Sequence, residues 1–268
     1  MINNLDSIIL GIKDGEKAIE DLRVVLKKRK EEVITTQTFN YALRCPQTTK
    51  EAIVHEILLH FIQNPGEQSL EQVIQCLDGA IQSRIYAKNN PIRNLDEEFR
   101  THINFKDEEG NTLLHHAVIG NKTEEITTLL VTYSANPLIQ NADNKVPSDL
   151  AQGKTKEVLI KSMKKQANTK KESAMVGSLV PGVIIGDFLG VVLGAGVCVA
   201  VSLSGGMILG VMIASSLVAS IAIGLAMYFL SQDYEQAKAI EKTISTVSSE
   251  ISVDDTTVAN GKKEPSLT

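Results

Sequence analysis

Apolar residues follow two different rules along this chain. Up to about residue 165 they recur at helical spacing among polar neighbours, whereas from Ala174 to Leu230 they run almost without interruption. Leu5, Ile8, Ile12, Ile19, Leu22, Leu26 and Val33 step by threes and fours, with Gly15 and Arg29 where heptad positions would fall. That stripe predicts helices packed on their neighbours rather than a sustained coiled coil, broken near Gly11 and Gly15. Two amphipathic helices follow. One covers Thr49–Ile62, with Ile53, Ile57, Phe61 and Val54, Leu58, Ile62 in four-residue rows; the other covers Leu70–Ala87, with Leu70, Val73, Ile74, Leu77, Ile81 and Ile85. Asn64-Pro65-Gly66 separates them, and Asn89-Asn90-Pro91 ends the second. No stretch alternates as a strand, so the predicted fold class is all-α.

The later run holds about 57 residues and a single charge, Asp187. One helical span needs about 20 apolar residues. The run therefore predicts two transmembrane helices, 176–201 and 207–230, turning at Ser202-Leu203-Ser204-Gly205-Gly206 within a hairpin, 174–231. Lys161, Lys164, Lys165, Lys170 and Lys171 precede the run, while Asp233 and Glu235 follow it. Lysine beside a span marks its cytoplasmic side, so both termini are expected there. The same lysines are placed to meet anionic headgroups.

Gly182, Gly186, Gly190 and Gly194 recur every four residues, answered by Gly206 and Gly210. Such small-residue stripes let membrane helices approach closely. The row either packs the two arms together or joins copies into an oligomer, in the extreme a pore. Asp187 at mid-bilayer would cost about 2.5–3.5 kcal/mol. If Pro181-Gly182 ends an interfacial stretch, the span starts near Val183 and Asp187 sits about one turn inside the headgroups.

Charge and composition narrow the chemistry. The net charge of −5 and the absence of Trp give no reason to expect nucleic acid. Cys45, Cys76 and Cys198 are too far apart for a disulfide framework or metal knuckle, as in a reducing compartment. The segment Met1–Lys17 has no basic n-region and only Ile8-Ile9-Leu10 as an apolar core, so no signal peptide is expected. Lys27-Lys28-Arg29-Lys30 runs straight into Glu31-Glu32, which reads as a solvated helix face. His55 and His60 nearly form a zinc-protease motif, but five residues apart they diverge by about 140° around a helix. No catalytic residue, cofactor or metal is expected, and the chain is not expected to be an enzyme.

The text from Asn104 changes character. Gly110, Thr112, Leu114, His115 and Ala117 stand as G-x-T-x-L-H-x-A, with Leu113 where proline is usual, and Gly120 closes the helix. Ile126, Leu129 and Leu130 supply a second apolar face before Ser134-Ala135-Asn136-Pro137. A fainter copy, Asn144-Lys145-Val146-Pro147-Ser148-Asp149-Leu150-Ala151, puts Pro147 opposite Leu113 and Ala151 opposite Ala117. This segment resembles ankyrin repeats, whose period is about 33. The resemblance implies that His115 is framework rather than catalyst, that His116 is exposed, and that 101–166 forms a short stack. Two repeats rarely stand alone, so the helical region 1–100 is expected to cap it. The tail, 232–268, is expected to be cytoplasmic and disordered after Thr243. The resemblance implies a protein partner bound at loop tips around Lys106–Asn111 and Gln140–Lys145. Few repeats plus a hairpin also resemble membrane-associated effectors of intracellular bacteria, lodged in a bacterial inner membrane or a host-derived one.

Overall fold

The computed structural model describes the backbone of residues 4–28, 33–64, 66, 68–87, 95–201 and 205–259. Side chains are described for the same residues except 4, 87, 95, 96, 179–215 and 249–259. The elements are helical, and no strand occurs among the described residues. The chain divides into two compact units, Met1–Met163 and Lys164–Thr268.

The first unit starts with α1 (Asn4–Lys13), which buries Leu5, Ile8, Ile9 and Ile12 on one face. The chain breaks at Gly15, whose φ of +78° suits a residue without Cβ. It resumes as α2 (Ile19–Lys28), burying Leu22 and Leu26. Val33, the last member of the sequence stripe, is exposed and lies outside helical backbone. Next is α3 (Thr36–Ala42), capped by Thr35, whose hydroxyl accepts the Thr38 N–H. Its seven residues are too few for periodicity to reveal it.

Helix α4 (Gln47–Gln63) organises this unit. It packs against α2 and α3, then against α5 (Leu70–Ala87), α6 (Leu95–Ile103) and α7 (Leu113–Ile119). Both of its four-residue rows are buried, so apolar side chains face neighbours on two sides. Each such buried Ile or Leu is worth about 1.5–3 kcal/mol relative to exposure. Gln68 clips the loop before α3 to the loop before α5: its amide accepts the Ile34 N–H and donates to the Ile34 carbonyl, both at 2.8 Å.

After α7 come α8 (Thr123–Thr127) and a π-helical turn, Thr128–Thr132, which together bury Ile126, Leu129 and Leu130. Helix α9 (Pro147–Leu150) is one turn long. Ala151 leaves it in extended conformation, and Gly153 at φ +49° starts α10 (Gly153–Val201). Thr155 Oγ1 in α10 donates to Asn121 Oδ1 at 2.8 Å, fixing its first turns beside the α7–α8 corner.

The second unit holds the rest of α10, then α11 (Gly205–Leu230) and α12 (Gln232–Ala259). Helical backbone runs past Thr243, where the sequence had predicted disorder. Ala237, Ile240, Ile244 and Val247 explain the difference, because their three- and four-residue steps make one buried stripe. Lys170 reaches Asp233 at 3.3 Å and Lys171 reaches Glu241 at 2.6 Å, so two lysines of α10 engage α12.

Candidate functional site

Two loops of the first unit are built alike. In the loop before α7, Asp107 N–H donates to the Asn111 carbonyl and Gly110 N–H to the Asp107 carbonyl, each at 3.0 Å. In the loop before α9, Asn141 N–H donates to Lys145 and Asn144 N–H to Asn141, again at 3.0 Å. The side chains repeat the pattern. Asp107 Oδ1 accepts the Asn111 N–H at 2.7 Å, as Asn141 Oδ1 accepts the Lys145 N–H at 3.0 Å. His115 Nδ1 accepts the Thr112 N–H, as Asp149 Oδ2 accepts the Val146 N–H. Every pair is offset by 34 residues (141 − 107, 149 − 115), the separation also of the Lys106 and Gln140 contact.

The loops stack through a second set of bonds. Ala142 N–H donates to the Glu109 carbonyl at 2.9 Å, Lys106 Nζ to the Gln140 carbonyl at 2.7 Å, and Asn141 Nδ2 to Asn111 Oδ1 at 3.0 Å. Gly110 is required twice over. Its φ is +76°, and a Cβ there would stand 2.7 Å from the Ala142 nitrogen. Gly120 is different: its φ is −78°, and the left-handed residue is its neighbour Asn121 at +54°. Ser134 and Asn144, which replace expected glycines, also take positive φ, +52° and +59°.

His115 joins the two layers. Its Nδ1 accepts the Thr112 N–H at 3.1 Å and lies 2.9 Å from Thr112 Oγ1, while Nε2 faces the Lys145 carbonyl at 3.1 Å. An N–H can only donate and a carbonyl can only accept, so the imidazole is neutral with its proton on Nε2. Burial holds His115 below its ordinary pKa, in keeping with that form. Leu114, Ala117 and Ala151 are buried too, Pro147 is the first residue of α9, and Leu150 is half-buried.

His116 departs from expectation. It is half-buried rather than exposed, because its Nε2 donates to Asp107 Oδ2 at 2.6 Å. His55, from α4, completes a cluster with them: its ring centroid is 5.5 Å from Phe105 and 5.9 Å from His116. Spacing along the chain does not reveal this group: His55 sits five residues from His60 on one helix, whereas Asp107 lies in a loop some fifty positions on. A cleft of about 490 Å³ opens beside the cluster, lined by α2, α4 and the 107–109 loop. Within it Arg23 pairs with Glu56 at 2.7 Å and with Glu20 at 3.0 Å. His60 lines the cleft too, hydrogen-bonded to Asn64.

In the second unit, Gly182, Gly186, Gly190 and Gly194 lie in α10 and Gly206 and Gly210 in α11, but their surroundings, like those of Asp187, lie outside the described side chains. The same holds for most of the predicted spans. Among the described residues no single helix is long and apolar enough to cross a membrane, whereas Ser216–Leu230 and Gln232–Ser248, meeting at 54°, have the length and composition together. Along α11, Leu217, Val218, Ile221 and Leu225 are more than half exposed. Tyr228, Phe229 and Tyr234 cluster at the bend, with ring centroids 4.7–5.1 Å apart. Lys164 and Lys165 are exposed, whereas Lys170 is buried against Asp233 and Lys171 is paired with Glu241. Of these four, Lys170 is the one buried away from a headgroup contact.

Compared with known proteins, the sequence matches no family model, no curated protein and no solved structure.

Proposed function

We propose that this chain is a membrane-anchored protein-interaction module, in which an ankyrin-like stack presents its loop tips to a partner protein. The observation that carries the reading is the hydrogen-bond pattern repeated at 34 residues, which makes two like layers out of dissimilar sequences. Repeats of this kind bind through loops and concave faces rather than by chemistry at a fixed centre. Here the tips offer Glu108, Glu109, Asp143 and Lys145 to solvent. The N-terminal helices serve as the cap that a two-layer stack needs, through the packing of α4 on α7.

The anchor in this reading is the segment around α10 and α11, inserted as a two-span hairpin with both ends on the cytoplasmic side. The uncovered apolar residues of α11 and the aromatic cluster at its end support it, since Tyr collects at membrane–water interfaces. The membrane is then a bacterial inner membrane or a host-derived one. Carbonate extraction with protease protection of end-tagged protein tests the anchor. Retention in the pellet, with both tags cut from the cytoplasmic side, is expected; release by carbonate refutes it. Site-specific photocrosslinking tests the binding face. A protein adduct is expected from a probe at Asp143 and none from a probe at Val24, an exposed residue on α2. Equal labelling at both positions removes the loop tips as the binding face.

A further inference from the structure

His55, Asp107 and His116 each bring one donor atom within 4.8 Å of the other two. Three features set this cluster apart from an ordinary surface ion pair. The first is His55 itself: the residue is 1% exposed, and its Nε2 is buried with no hydrogen-bond partner. A buried ring nitrogen left unsatisfied is costly, so something should meet it.

The second feature comes from the chain's internal repeat. Asn141 holds the second loop with the same side-chain bond that Asp107 makes in the first, and it does so without a charge. The turn therefore does not require the Asp107 carboxylate. It leaves Oδ2 over for His116. At the position 34 residues after His116 stands Leu150 (116 + 34), so the layer does not require an imidazole either. Both polar residues go beyond what the repeat needs to fold, and both lie against His55.

The third feature is access. Asp107 and His116 line the cleft beside α2 and α4, and His55, itself buried, has a donor atom within 4.8 Å of both. Two imidazoles and a carboxylate with one side open is a donor set suited to zinc, which binds nitrogen at about 2.0–2.1 Å and keeps a fourth position for water or another ligand. Donors around a tetrahedral zinc stand about 3.3 Å apart, so binding draws His55 toward the other two while Asp107 Oδ2 and His116 Nε2, now 2.6 Å apart, open slightly. The Asp107–His116 hydrogen bond gives way as both atoms turn to the ion.

We propose that His55, Asp107 and His116 form a binding site for a divalent cation of the zinc type, with its fourth position open to the cleft. Such an ion pins α4 to the first loop of the stack. The site does not depend on the membrane or partner-binding reading.

The test uses the full chain in mild detergent, stripped with chelator, with Zn²⁺ added in calorimetry and Co²⁺ in visible absorption. One Zn²⁺ per chain is expected, with the intense d–d bands of tetrahedral Co²⁺. Asp107→Asn and His116→Gln should each weaken binding at least tenfold while leaving the far-UV circular dichroism unchanged; Asn141 shows that the amide can hold such a turn. His60→Gln, which alters the neighbouring histidine but none of the three donors, should keep affinity within about threefold. Zn²⁺ should also slow hydrogen exchange in residues 105–116. Absence of saturable Zn²⁺ binding overturns the proposal, as does binding that both variants leave intact.

Discussion

Asp107 and Asn141 occupy the same place in successive loops, and each accepts the N–H of the residue four positions on. One is charged and the other is not, although the backbone around them is the same. The shared bond belongs to the turn, and the extra carboxylate oxygen of Asp107 accepts from His116. That separation lets structural and functional effects of a substitution be predicted apart.

Glycine should improve the loops where the backbone already asks for it. Ser134 and Asn144 are held at positive φ, which costs L-residues about 1–2 kcal/mol in general and less for Asn. Ser134→Gly is expected to raise stability by about 0.5–1 kcal/mol, and Asn144→Gly by less. Gly110→Ala should do the opposite, by more than about 2 kcal/mol, because strain and a backbone clash add. Thermal unfolding of the fragment 1–163 ranks the three variants. A destabilising Ser134→Gly would show that the backbone strain is not what limits that turn.

The His115 bridge predicts coupling between layers. Replacing His115 by Leu removes its bonds to Thr112 and Lys145, leaving the Lys145 carbonyl with the Asn141 N–H alone, at about 1–3 kcal/mol. Thr112→Val should cost about 1–2 kcal/mol. A double-mutant cycle should find the two effects less than additive, since each change breaks the same contact. Strict additivity argues against the shared bond.

Acid should loosen the first unit. His102 is 1% exposed with both ring nitrogens buried and unpartnered, and burial, helped by nearby Lys50 and Arg84, pushes its pKa down to about 4. The unfolded chain takes up this proton near pH 6.5, whereas the folded one resists until about pH 4, so stability is present above pH 6.5 and falls as pH drops between the two. The loss has an upper bound of about 3 kcal/mol at 1.36 kcal/mol per unit. His55, also lowered to about 4 by burial, adds in the same window when no ion is bound. His102→Leu should flatten this limb. Hydrogen exchange of α4 and α6 amides between pH 4 and 7 provides the check, and an unchanged slope rules His102 out as the group responsible.

The two lysine pairs of the second unit should differ in strength. Lys170 keeps 9% of its side chain exposed against Asp233, while Lys171 and Glu241 keep 33% and 45%. Exposed pairs contribute about 0–1 kcal/mol, whereas removing one partner of a buried pair strands the other charge. Asp233→Asn should therefore destabilise α12 more than Glu241→Gln does, read by exchange rates along that helix. The reverse order would contradict the burial argument.

The helices of the first unit were largely legible in the chain because burial at 3.6-residue spacing leaves a periodic mark. Helix α4 runs Gln47–Gln63 against an expected Thr49–Ile62, and α5 runs Leu70–Ala87 as expected. Helices α3 and α6 left too short a mark, and α12 was hidden under a Ser- and Thr-rich surface. The candidate cation site left none, since no spacing relates His55 to Asp107. The order of residues is enough to show that the chain is helical, where apolar faces lie, and that one long stretch carries almost no charge. Which polar groups meet depends on packing between distant segments: α4 on α7 sets a buried histidine beside a loop carboxylate, and the stacking of two loops gives His115 its carbonyl. Periodicity records which side of a helix is dry. It carries no record of what lies across the contact.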